Sequence, residues 1–128
     1  MADPETDLHQ RLAALHKKYG KDLPARIIRM RTLWIEVREN PADVDSFAEF
    51  HRVAHHFAGS GATFGYAALS EAAAELDGFI QSIVEADEPL TSDRHGHIET
   101  LLERVETSAT SRGYAPMLAG RAVQPDLS

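Results

Sequence analysis

Residues 47–65 read Phe47-Ala48-Glu49-Phe50-His51-Arg52-Val53-Ala54-His55-His56-Phe57-Ala58-Gly59-Ser60-Gly61-Ala62-Thr63-Phe64-Gly65. At about 100° per residue, Phe47, Phe50, Ala54, Phe57 and Gly61 fall on one narrow stripe, the spacing of a helix buried along one side. His55 and His56 lie roughly 130° from the centre of that stripe, on opposite shoulders, and His51 lies nearer its boundary. Four residues beyond His55, on the same shoulder, comes Gly59, with Ala48 and Ala62 close by. This imidazole therefore stands on ground almost clear of side chains, where a second large molecule can reach it.

Helical periodicity extends in both directions from this stretch. Leu8, Leu12, Leu15 and Tyr19 recur at helical spacing, and Gly20 follows as a stop, which predicts a first helix over residues 5–19. Leu23, Ile27, Met30, Trp34 and Val37 form the next seam, with Pro24 tolerated in a first turn after Asp22 and the end set by Asn40-Pro41. Trp34 is expected in the core, since a large aromatic on a seam supplies buried area. Asp43 or Asp45 caps the third helix, which is expected to run to about Phe64 with Gly65 as a left-handed terminator. Leu69, Ala72, Ala73, Leu76, Phe79, Ile80 and Ile83 define a fourth helix over about 66–86. Thr91 or Ser92 caps a fifth, which carries Ile98, Leu101, Leu102, Val105 and Ala109.

Two interior glycines of the third helix need a reason, because each costs about 1 kcal/mol relative to alanine. Gly61 falls on the buried stripe, where it lets a neighbouring helix approach closely. Gly59 falls on the exposed shoulder, where internal packing gives no reason for it. No stretch alternates with period two. The expected fold is all-α, an antiparallel up-and-down four-helix bundle with an additional N-terminal helix. Residues 1–110 form the domain, and residues 111–128, with Gly113, Pro116, Gly120 and Pro125, form a flexible or lightly docked tail.

The 128 residues suffice for one domain with a real core. Cysteine is absent, which excludes disulfides, thiolate metal sites and cysteine nucleophiles and fits a reducing compartment. The acidic N-terminus leads into no apolar run and no transmembrane-length segment follows, so a cytoplasmic protein that does not enter the membrane is the expectation. The net charge of −7 is uneven: residues 1–40 hold eight Lys/Arg against six Asp/Glu, residues 41–128 five against fourteen. Such an acidic body repels phosphate backbones, which argues against nucleic acid as a partner. The basic excess of the first two helices can steer an acidic protein surface instead.

The segment Ala54-His55-His56-Phe57-Ala58-Gly59-Ser60-Gly61-Ala62-Thr63-Phe64-Gly65 resembles the signature of the histidine-containing phosphotransfer (HPt) domains of phosphorelays. That signature is a histidine, any residue, an apolar residue, usually a lysine, a glycine, and a run of small residues ending in glycine. On this chain the resemblance places the phosphoacceptor at His55, the apolar position at Phe57 and the glycine at Gly59. The following segment Leu69-Ser70-Glu71-Ala72-Ala73-Ala74-Glu75-Leu76 looks like the next helix of the family. Ala58 stands where the family usually has lysine, so a cation is missing there, and His51 or Arg52 one turn back is the candidate to supply positive charge.

The resemblance implies a phosphorelay carrier of a two-component system, a phosphoprotein that takes a phosphoryl group from one receiver-domain aspartate and passes it to another. The implied partners are the receiver domains of response regulators or a hybrid histidine kinase. The Mg2+ is expected only in the receiver, and the chain itself is expected to hold no cofactor and no metal. Nothing in it resembles a nucleotide-binding loop with strands, so no kinase activity of its own is expected. His55 is the expected nucleophile, since a neutral imidazole with a pKa near 6.5 has a ring nitrogen free to attack phosphorus. His51, Arg52, His56, Ala58, Gly59 and Ser60 are the expected docking surface around it. Two other readings compete: a helical adaptor that binds a receiver or kinase without being phosphorylated, and a metal site built on the i, i+4 pair His51 and His55.

Overall fold

Four helices carry the residues that the computed structural model describes, 4–110: α1 (Pro4–Glu39), α2 (Val44–Ser60), α3 (Ala67–Ala86) and α4 (Ser92–Thr110), with a 3-10 turn at Ala62–Phe64 between α2 and α3. There is no strand among the described residues. Their apolar seams meet in one core, in which Met30, Trp34, Phe50, Ala54, Phe57, Leu69, Leu76, Ile80, Ile98 and Leu102 are fully buried. Phe47, expected on the buried stripe, packs against this core only in part. The tail expected at 111–128 lies outside the described residues.

Each helix packs on the next, and α1 also meets α4. Along α1 and α2 the partners run in opposite senses: Tyr19 meets Ser60, Arg26 meets His56, and Glu36 meets Ser46. Between α1 and α4, the Arg31 guanidinium donates to both oxygens of Glu106 at 2.9 and 2.7 Å and to Glu99 at 2.5 Å, while Trp34 Nε1 donates to Glu99 at 2.9 Å. Burial pushes the Glu99 carboxyl up, but these donors outweigh it and hold it below its usual range.

The helix starts follow local chemistry. Asp43 accepts from the Ser46 hydroxyl and from the backbone N–H of Ser46, the latter capping α2, and these bonds hold its carboxyl below the usual range. Thr91 Oγ1 accepts from the N–H of Arg94 at the start of α4. The left-handed backbone at Gly65, φ 90°, ends the 3-10 turn where a side chain would be strained.

Two expectations need correction. The additional N-terminal helix is not separate: residues 4–39 form one helix that runs through both Gly20 and Pro24. Tyr19 and Leu23 are buried on the same face as Met30 and Val37, and that burial outweighs the roughly 1 and 3 kcal/mol by which glycine and proline disfavour a helix interior. Gly20 serves packing instead of termination, since a Cβ there would stand 2.7 Å from the Tyr66 hydroxyl. The third expected helix stops at Ser60, short of Phe64. The cause is Gly61, whose added Cβ would lie 3.0 Å from each of Phe57 O, Tyr66 O and Ser70 N, so the start of α3 sits directly on it. Tyr66 N donates to Gly61 O at 2.7 Å, which folds the chain back over this contact.

Candidate functional site

The stripe Phe50, Ala54 and Phe57 is fully buried and fixes the rotation of α2, so residues 51, 55 and 59 are presented along one flank beside α3. On that flank His55 is 77% exposed, and its Nδ1 lies 2.9 Å from Asp77 Oδ2 on α3. His51, one turn earlier and only 21% exposed, places its Nε2 2.9 Å from the other oxygen, Asp77 Oδ1. Asp77 is thus clamped between two imidazoles of the neighbouring helix.

A carboxylate only accepts, so the ring nitrogen facing it carries the hydrogen. His55 is thereby set as the Nδ1–H tautomer, with the Nε2 lone pair turned to solvent. His51 donates from Nε2–H to the same carboxylate and holds it in place. The arrangement is an exposed ring nitrogen whose opposite nitrogen is anchored to a fixed negative charge, and such a ring can act as a nucleophile with Asp77 placed to stabilise positive charge developing on it.

The surroundings are small. A Cβ at Gly59 would meet nothing within 4 Å, and the same holds at Gly78, next to Asp77. Ser70 Oγ donates to the Ala58 carbonyl at 2.6 Å, a bond that ties α3 to α2 beside the site. Ala58 and Gly59 leave a low floor from which the His55 ring projects.

The other expected residues sit on the α1 side. His56 Nε2 is 3.2 Å from Arg26 Nη1, and the two line a cleft of about 320 Å3 together with Arg29, Glu49, Arg52, Val53 and Phe57. Arg52 pairs with Glu49 on its own helix. Ser60 Oγ donates to the His56 carbonyl at 2.8 Å and lies 3.0 Å from the Tyr19 hydroxyl, so its polar capacity is used inside the protein. The structure brings His51 and His55 together on Asp77 and gathers Arg52 and His56 in the cleft. Among the described residues no group of three or more His, Asp or Glu side chains is arranged to hold a metal ion.

Sequence reasoning missed Asp77. The available signal was an acid directly following the seam residue Leu76 and preceding Gly78, a boundary position on the helix next in the chain. Arg26 was also missed, as one of several basic residues on a solvated face.

A family model described as the Hpt domain matches residues 6–108. No curated protein matches the chain.

Proposed function

The chain belongs to the Hpt domain family, and from that premise we propose that it relays a phosphoryl group between receiver-domain aspartates through His55. The single observation that carries the reading is an imidazole 77% exposed with its Nδ1 on Asp77. In the proposed step the His55 Nε2 lone pair attacks the phosphorus of a receiver's aspartyl phosphate, and an N–P bond forms as the acyl-phosphate O–P bond breaks. The receiver's carboxylate leaves with the electron pair. His55 keeps its Nδ1 hydrogen throughout, and the positive ring that results is stabilised by Asp77. Transfer onward is the reverse on a second receiver.

Phosphoryl transfer is mostly positioning and charge stabilisation. The proposed division of labour leaves Mg2+ and phosphate binding to the receiver, and the carrier needs no cofactor or kinase activity of its own. It offers a rigid, reachable nitrogen, with Ala58 and Gly59 as clearance and His51 holding the carboxylate. Arg52 and His56 in the adjoining cleft are proposed to touch the docked partner, a response regulator or a hybrid kinase. The contact pairs that fall along one helix as they rise along the next support an antiparallel up-and-down bundle. We take residues up to 110 as the whole domain.

No helix among the described residues is long and apolar enough to cross a membrane. With the absence of cysteine this supports a cytoplasmic setting. Incubation with a phosphorylated receiver tests the reading. Acid-labile phosphate appearing on this chain is the expected result, with none after ATP and Mg2+ alone. A stable complex that never carries phosphate would establish the adaptor reading instead.

A further inference from the structure

The core seam of α1 does not stop where the bundle stops. Taking Leu8 as zero, Leu12 and Leu15 stand at about 40° and −20° around the helix, and the buried Tyr19, Met30 and Val37 at about 20°, 40° and 20°. The face that is covered from residue 19 onward is bare before it: Leu8, Leu12 and Leu15 are 56%, 43% and 49% exposed. The turn after α2 closes the covered part, with the Phe64 ring 4.7 Å from that of Tyr19 and 5.5 Å from that of His16. Residues 4–15 therefore extend about 18 Å beyond it as a helix with one apolar edge. An apolar edge in line with a core seam calls for a cover.

We infer that the cover is a second copy of the same chain, packed antiparallel along residues 4–18. The charge order carries the choice. Asp7 at the outer end and Lys18 at the inner end stand on one flank of the leucine edge, at about −100° and −80° on the same scale. A two-fold pair centred near Leu12 sets Leu8 against the partner's Leu15 and brings Asp7 of each copy beside Lys18 of the other. A parallel pair would stack like charges at both ends. The ion pairs Asp7–Arg11 and Lys18–Asp22 within α1 are exposed, worth little singly, and able to share a second partner. The pairing is isologous and closes at two, and the Phe64 turn limits its overlap to about four helical turns, so the dimer is weak and depends on concentration. Since His55 lies on the far flank of α2, toward α3, dimerisation leaves it reachable.

Sedimentation of the full chain from low-micromolar to about millimolar concentration tests this, because association must follow mass action. The mass is expected to rise toward twice 14.1 kDa in the parent and to stay at 14.1 kDa in Leu12→Glu. That variant should keep its helical circular dichroism and its labelling by a phosphorylated receiver, since Leu12 touches neither core nor site. A parent that stays monomeric throughout overturns the inference, and a parent that dimerises only after removal of 111–128 shows that the tail is the cover. Direction is read by cysteine substitution, which is clean in a chain without cysteine. Leu12→Cys should form disulfide-linked dimers on mild oxidation and Leu8→Cys should not. Equal cross-linking by both overturns the antiparallel arrangement. Asp7→Lys should weaken association by about fivefold, and adding Lys18→Asp should restore it; no loss in the first variant overturns the charge basis.

Discussion

The Nδ1 of His55 lies 2.9 Å from Asp77 Oδ2, across the groove between α2 and α3. This contact sets which ring nitrogen is free, and it ties α2 to its neighbour beside the proposed phosphoacceptor. Asp77→Asn keeps the shape but can present an N–H to the ring, which removes the preference for the Nδ1–H tautomer. Transfer to His55 should slow on the order of 10- to 100-fold. The 15N shifts of the imidazole should show the tautomer balance moving toward Nε2–H, a change that a merely structural role for Asp77 would not produce.

Gly59 and Gly61, two residues apart, should behave oppositely. A side chain at Gly59 enters open space, so Gly59→Leu should leave the fold helical and its melting temperature within a few degrees of the parent, while blocking access to His55. At Gly61 the new Cβ meets three backbone atoms of Phe57, Tyr66 and Ser70 at 3.0 Å, and backbone cannot rotate away. Gly61→Ala should destabilise by about 1–3 kcal/mol in denaturant unfolding. Normal transfer in Gly59→Leu would remove the clearance argument.

The α1–α4 contact makes a pH prediction. Glu99 has a folded value below its ordinary 4.5, because the bonds from Arg31 and Trp34 outweigh the opposing effect of burial. A depressed carboxyl contributes stability that is complete above the unfolded value and is lost as pH falls through the folded one. Glu99→Gln should therefore be less stable than the parent at neutral pH, by about 1–3 kcal/mol. The gap between the two should narrow as pH falls below 4.5. A gap that stays constant into acid would show that the Glu99 charge has no part in holding α4 to α1.

Most of the fold was legible because burial imposes a period. Phe50, Ala54 and Phe57 repeat at helical spacing, and the structure buries all three. What the sequence hid was tertiary in origin. Gly20 carries the mark of a stop, but its small size makes room for Tyr66, forty-six residues away, and nothing local distinguishes the two causes. Gly61 was legible as a point of close approach but not as the end of α2, since that end is set by α3 lying on it. In the site, His55 and its exposed surroundings could be read from one helix. Asp77 could not, because its role exists only once α3 has been laid beside α2 and two histidines reach one carboxylate.

The most direct measurement is the position of the label after incubation with a phosphorylated receiver, compared between the parent, His55→Gln and His56→Gln. The account predicts acid-labile phosphate on Nε2 of His55 in the parent, none in His55→Gln, and near-parent labelling in His56→Gln, whose ring is turned to Arg26 on the α1 side. Labelling that survives in His55→Gln, or disappears in His56→Gln, would contradict it.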